Sequence, residues 1–202
     1  MEKAGKKRTK AGIGVILMTF GLLLIAAAGG LFAYNARNDR IAGEKADMII
    51  KAVADSNNDS LVEVEENGER TAEIDGEKYI GVISIPSLGI SLPVQSEWSL
   101  EKLKTSPCRY SGDLTDGSLI ICAHNYQSHF GNLKYASVGD KVIFTDVMGL
   151  NYYFEVISTS RIDGYDSEGM KQDDGWDMTL FTCTYSGRQR QTLRLIRVQN
   201  DA

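Results

Sequence analysis

Residues 11–36 contain no charged side chain, and their core reads IGVILMTFGLLLIAAAGGLFAY. A helix rises about 1.5 Å per residue, so about 20 apolar residues cross the hydrocarbon layer of a bilayer. A run this long without a polar face does not suit a surface helix of a small soluble domain. Lys3, Lys6, Lys7, Arg8 and Lys10 precede it against a single acid, Glu2, which makes the tip +4, and Arg37 and Arg40 follow. The heavier positive cluster is N-terminal. The positive-inside rule therefore predicts a cytoplasmic N-terminus, with everything after about residue 36 outside the cell membrane. A cleaved signal peptide is the competing reading, because Ala26, Ala27 and Ala28 offer a small-residue cleavage site. The apolar run continues past them through Leu31, Phe32 and Tyr34, which favours a retained anchor.

The whole chain of 202 residues has a net charge of −5, so the part beyond the +4 tip carries −9. An acidic body argues against a nucleic-acid partner. The length suits one ordinary domain behind an anchor. Three cysteines, Cys108, Cys122 and Cys183, cannot all pair within one chain. None stands in a CxxC spacing, so no structural zinc site is expected. His124 and His129 are the only histidines available for imidazole chemistry.

Four segments are expected: a basic tail over 1–10, a membrane-spanning signal-anchor over 11–36, a stalk or linker over 37–77, and a body over 78–202. Residues 37–56 read as a helical extension of the anchor. Residues 56–77 are acidic and polar, as linkers are, with weak strand character. Beyond them, short β-branched runs alternate with Gly, Pro, Asp and Ser breaks. They predict strands over 79–85, 90–94, 118–123, 141–145, 152–159, 178–183 and 192–198, hence a mainly β sandwich or barrel. The run 118–123 (SLIICA) is almost wholly apolar and is expected to be buried on both faces. Helical turns are expected around 100–104 and 129–135. Residues 160–177 read as a long surface loop, of the kind that often carries function. Its acids, Asp163, Asp166, Glu168, Asp173, Asp174 and Asp177, raise the option of calcium, but a solvated acidic loop is the plainer reading, and no cofactor is expected.

Cys183 ends one predicted strand and His124 follows directly on another. A buried structural cysteine and a half-core histidine are the ordinary explanations of each. Together they can do more. An imidazolium stabilises the attacking thiolate, and the same histidine can then protonate a leaving amine. Arg194 lies on the strand after Cys183, and a hairpin between the two would bring its guanidinium back toward the thiol, where it could donate to an oxyanion. Arg188, Arg190 and Arg197 are alternatives. Alternation puts Arg194 and Arg197 on opposite faces, so spacing gives Arg194 only a modest preference.

These pieces resemble a known family. Thr179-Leu180-Phe181-Thr182-Cys183 followed by an arginine on the next strand looks like the TLxTC…R signature of sortases. SLIICAHNY…HFGNL looks like the sortase histidine segment, and GVISIPSLGISLPV like the family's early strand pair. The resemblance spans about residues 79–198. It implies a closed β-barrel of about eight strands with short helices, one strand more than the pattern above yields. It also implies a cysteine transpeptidase acting on an LPxTG-like sorting signal. Carried over by position, Cys183 would be the nucleophile that forms a thioacyl intermediate, His124 the acid/base, Arg194 the oxyanion partner, and Thr182 would help shape the substrate pocket. The acceptor would be an amine of a lipid-linked cell-wall precursor or of a pilin, at a Gram-positive surface. The absence of a second span before Ala202 points away from the pilus-polymerising type and toward a compact housekeeping or sporulation type. Cys122, on the same side of its strand as His124, is expected in the barrel interior, and a Cys108–Cys122 disulfide is not favoured. His129 is expected at the surface or at a helix start. An exported Cys/His peptidase or amidase that only hydrolyses, an inert wall-binding β-domain, and a metal protein using the cysteines with His124 remain the competing readings.

Overall fold

The computed structural model describes residues 5–55, 62–64, 70–166, 168–170, 175–184 and 186–199. Two compact units divide at residue 40. Helix α1 (Gly5–Asp55) contains an apolar stretch, Gly12–Tyr34, long enough to cross a membrane. Its side chains are exposed, an arrangement that water penalises and a lipid phase does not.

The second unit is built of strands: β1 (Val62–Val64), β2 (Arg70–Ile74), β3 (Glu77–Ile85), β4 (Ile90–Gln95), β5 (Cys108–Ser111), β6 (Leu119–Ala123), β7 (Lys141–Asp146), β8 (Asn151–Asp163), β9 (Met178–Cys183) and β10 (Gln189–Val198). They form one sheet in the order β1-β2-β3-β4-β5-β6-β9-β10-β8-β7, and β7 pairs back onto β3. Strands β3 to β10 therefore close an eight-stranded barrel, with β1 and β2 as an added hairpin. The strand that the sequence pattern lacks is β5, Cys-Arg-Tyr-Ser, too short and too polar to alternate. Its pairing with β4 is a single parallel bridge, Gln95 to Cys108, so this is the thin seam of the ring.

The interior is filled by residues of β3, β4 and β6 to β10, among them Ile83, Val94, Ile121, Phe144, Val156, Leu180 and Leu193. Each fully buried side chain of this size stabilises the fold by about 1.5–3 kcal/mol. Strand β6 is indeed buried on both faces: Leu119, Ile121 and Ala123 join the interior, whereas Ile120 and Cys122 join a second, outer cluster with Cys108, Met170 and Phe181. The interior placement expected for Cys122 is thus corrected. It lies on the opposite face of the strand, where Cys108 is its cross-strand neighbour. All three cysteines are free thiols.

The barrel closes at Gly81, which pairs with Asp146 on β7 and Val94 on β4 beside a register shift. Its φ is +151°, and a Cβ there would fall on the carbonyl oxygen of Thr145 and within 2.9 Å of the Phe144 ring. Backbone cannot yield as a flexible side chain can. Gly81→Ala is expected to destabilise the barrel by about 2–3 kcal/mol, a fall of roughly 5–10 °C in Tm for a domain of this size. Thermal unfolding of the detergent-solubilised chain measures it, and an unchanged Tm would show that the β3–β7 junction relaxes freely.

Candidate active site

Strands β6 and β9 are parallel neighbours, in register from Leu119↔Met178 to Ala123↔Thr182. The next residue on each is His124 and Cys183. Two strands running the same way about 4.8 Å apart therefore deliver an imidazole and a thiol to the same edge of the barrel. Thr182 ties these ends together, its Oγ1 donating to the Ala123 carbonyl at 2.8 Å. Thr182 itself is buried and on the opposite strand face from Cys183.

Strand β10 returns antiparallel along β9, with Cys183 opposite Arg190 and Thr179 opposite Arg194. The arginine brought to the thiol is thus Arg190. Arg194 lies four residues further along, about 13 Å away at ordinary strand rise. It is buried, with Nη1 donating to Thr179 Oγ1 at 2.6 Å and to the Met170 carbonyl at 3.4 Å, and Nη2 donating to the Gly169 carbonyl. Its guanidinium also lies 4.6 Å from the centre of the Trp176 ring. Arg194 thus clamps the β8–β9 connection to the barrel and is not brought to Cys183. Arg190 is half-buried, its Nη1 donating to the Gly187 carbonyl at 3.3 Å. Alternation could not separate the two arginines, because residues four apart share a face. The signal that does separate them is the turn. Ser186-Gly187 is a turn dipeptide, Gly187 adopts φ +70°, and the amide of Thr184 donates to the carbonyl of Gln189 at 2.9 Å. A hairpin folded about that dipeptide places 190 against 183.

Cys183 is half-exposed, whereas Cys108 and Cys122 are buried. Burial pushes the Cys122 thiol well up, with Cys108 and Cys183 adding to the shift and Arg190 opposing it. Burial likewise pushes Cys108 up to about 12. Neither supplies thiolate at neutral pH. The His124 ring stacks on Tyr126 at 4.8 Å. Burial lowers its pKa and the nearby Lys104 ammonium lowers it further, so the ring rests neutral at pH 7. Because the folded value lies below the unfolded one, this histidine favours the folded state above about pH 6.5, and that contribution is lost as pH falls through the unfolded value toward the folded one. Lys104→Met removes a repelling cation and is expected to raise the His124 pKa. An NMR titration of the ring reads the shift, and an unmoved or lowered midpoint would contradict the assignment of Lys104. His129 stands at the start of the turn Phe130–Tyr135, as one expectation had it, but is fully buried and not at the surface.

Two surfaces flank the thiol. On the Phe181 side, Phe181, Tyr110 and Trp98 form an aromatic wall, with ring centres 5.3 Å and 5.5 Å apart in succession. A pocket of about 380 Å³ is lined by Cys183, Thr182, Thr184, Asn125 and residues of β8 and β10. Among the described residues no group of three or more His, Cys, Asp or Glu side chains is gathered as a metal site. Of the acids in the 160–177 connection, Asp163 and Asp166 accept from the backbone amides of Tyr165 and Gly169, and Asp177 from that of Arg197. Asp173 and Asp174 lie outside the described residues.

A thiol, a neutral imidazole and a guanidinium on one barrel edge can divide acyl transfer among nucleophile, proton carrier and oxyanion donor. Residues 83–200, more than half of the chain, match the sequence model of the Sortase domain family. The structure resembles sortase C1 from Streptococcus agalactiae at 27% identity and a TM-score of 0.57, over 64% of this chain and 72% of that one. It also resembles a sortase D5 transpeptidase from Clostridium perfringens at 15% identity, with a TM-score of 0.58 over 79% and 99% of the two chains. A lid mutant of sortase A from Corynebacterium diphtheriae matches at 19% identity, with a TM-score of 0.56 over 77% and 94%. The last two likenesses speak for the fold alone. No curated protein sequence gives a significant match. The chain belongs to the sortase family of cysteine transpeptidases.

Proposed function

We propose that the chain is a membrane-anchored sortase that cleaves an LPxTG-like sorting signal and passes the acyl part to an amine of a cell-wall precursor or a pilin. Cys183 attacks the carbonyl of the scissile peptide bond, and His124 takes the thiol proton and returns it to the leaving amine. Arg190, in place of Arg194, donates to the oxyanion of the tetrahedral intermediate. A thioester with Cys183 results, and the acceptor amine resolves it. Nucleophile, proton carrier and oxyanion donor are all side chains, so the reaction calls for no cofactor. The exposed Trp98 ring and the half-buried Tyr110 behind it, backed by the buried Phe181, suit the apolar residues at the start of the signal, because aromatic faces gain by covering apolar side chains. Thr182 acts by holding the Cys183 and His124 strand ends in register. Residues 12–34 hold the enzyme in the membrane, with the basic tail cytoplasmic and the barrel on the cell surface.

The observation that carries this reading is the register of β6, β9 and β10, which sets His124, Cys183 and Arg190 side by side. The test is incubation of the full chain in detergent with a fluorogenic LPxTG-type peptide library, with and without amine acceptors. Cleavage with an amine-linked product is expected. Cleavage without transfer would favour a hydrolase, and a folded chain inert toward the whole library would favour a wall-binding domain.

A further inference from the structure

Strand β6 ends at Ala123, so its own ladder does not hold His124, the first residue beyond it. The segment that follows does. The amides of His129 and Gly131 donate to the carbonyl of Tyr126 at 3.0 Å and 2.8 Å, and that of Phe130 donates to the carbonyl of His124 at 3.1 Å. Phe130 and Leu133 are fully buried, so the turn Phe130–Tyr135 anchors residues 124–126 to the barrel. Gly131 lets the two segments meet. A Cβ there would lie 2.5 Å from the Asn125 carbonyl oxygen and 2.6 Å from that of Tyr126, too close for packed atoms unless backbone moves.

What this anchoring fixes is the ring of Tyr126. Its centre lies 4.8 Å from that of His124, with 28° between the planes, and 5.5 Å from that of the buried His129. Both separations are ones at which aromatic rings attract. A stack covers a face of the imidazole and leaves its two nitrogens, which lie in the ring plane, open to proton exchange. The face of a phenol ring is electron-rich and attracts a cation within about 6 Å. A neutral imidazole gains little from that face, and an imidazolium gains more. The other groups around His124 act the opposite way. Burial and the ammonium of Lys104, on the turn Lys102–Lys104, disfavour its charged form, and Arg190 stands beyond Cys183 on β10. Among the described residues no carboxylate acts on His124. The task that a buried acid performs in a Ser-His-Asp triad, orienting the imidazole and favouring its charged form, falls here to an aromatic face.

We propose that Tyr126 is the positioning residue of the proton carrier: its ring fixes the plane of the His124 imidazole and stabilises the imidazolium formed when the Cys183 proton is taken up. The inference rests on the transpeptidase reading and adds a third member to its thiol–imidazole pair. In acylation the S–H bond breaks and the proton moves to a His124 nitrogen while sulfur bonds to the substrate carbonyl carbon. As the C–N bond breaks, the same proton goes to the leaving amine. The imidazolium exists only between these two events. A group that favours it over the neutral ring therefore acts on kcat and leaves substrate binding alone.

Three replacements in the full chain separate the ring's charge from its bulk. Tyr126→Phe keeps the electron-rich face, and Tyr126→Leu keeps an apolar cover without it. Replacing Tyr126 by pentafluorophenylalanine keeps the ring and reverses the polarity of its face. With a cleaved LPxTG-type peptide, Tyr126→Phe is expected to keep kcat within about 3-fold of the parent, and the other two to lower it by about 10-fold, with KM within about 2-fold throughout. Losing the face lowers the His124 pKa further, so the acidic limb of the pH–rate profile should move to lower pH in those two and stay in place for Tyr126→Phe. A fluorinated ring that performs as well as Tyr126→Phe, or a KM effect in place of a kcat effect, would overturn the proposal. A second arm needs no substrate. It titrates the His124 ring by NMR in the same variants, where His129 is the only other histidine. A midpoint lowered by Tyr126→Leu and by the fluorinated ring, and kept by Tyr126→Phe, supports the proposal. A midpoint indifferent to all three overturns it. Absent peptide cleavage with the expected titration shifts would count against the transpeptidase reading alone.

Discussion

Cys183→Ala is expected to abolish both peptide cleavage and amine transfer, lowering the rate by about 10⁴-fold or more, with the thermal unfolding profile that of the parent chain. The size of the effect follows from the chemistry. No other group at the site can form the acyl intermediate, and the imidazole and guanidinium that remain have nothing to activate. The other two thiols cannot substitute, because Cys108 and Cys122 are buried in the outer cluster and burial raises both pKa values. A small alkylating reagent at neutral pH should therefore label Cys183 alone and inactivate the enzyme in proportion to labelling. His124→Ala is expected to fall in the same range, since groups that act as a unit are not additive. Mass spectrometry of the labelled chain, with initial rates on the same samples, decides the matter. Activity retained within 10-fold of the parent, or labelling confined to Cys108 or Cys122, would sink the assignment of the nucleophile.

The two arginines of β10 should separate cleanly. Arg190→Ala is expected to reduce kcat by about 10²–10³-fold, the usual range for losing one oxyanion donor, and to change stability by less than about 1 kcal/mol. Its guanidinium is half-exposed and makes a single long bond to a turn carbonyl. Arg194→Ala should do the reverse. It removes a buried cation that serves the Thr179 hydroxyl, two backbone carbonyls and the Trp176 ring. Orphaning those acceptors is expected to destabilise the fold by about 2–3 kcal/mol, roughly 5–10 °C in Tm. Turnover at a temperature where the variant remains folded should stay within a few-fold of the parent. Parallel kinetics and thermal unfolding of the two variants test both halves. If Arg194→Ala instead lost turnover with an unchanged Tm, the oxyanion role would return to Arg194.

Much of the architecture was readable before any coordinates. Six of the barrel strands announce themselves through β-branched runs between turn residues, and β3 through the run that ends at Pro86. Strand β5 does not, because four residues with an arginine and a serine carry no alternation. It exists because Cys108 has Cys122 to pack against and Gln95 to bridge. The polar segment 56–77 carried too weak a pattern for strands, and yet β1 and β2 pair there. Their stability comes from pairing onto β3, a contact that no local pattern encodes.

By itself the sequence determined the exposed apolar span, the β-rich body, and the pairing of a strand-end cysteine with a strand-end histidine. These follow from local rules: hydropathy, periodicity, and the residue types that acyl transfer needs. Only the tertiary structure decided which arginine meets the thiol, which face of β6 holds Cys122, and that Arg161 and Lys134 line the pocket beside Cys183. Arg190 and Arg194 are equivalent in type and in strand face. The register of a hairpin tells them apart, set by a turn at Ser186-Gly187 and by the pairing of β10 with β9. Likewise Arg161 and Lys134 lie on separate elements, 27 residues apart in the chain, and closure of the barrel alone makes them neighbours of the same pocket.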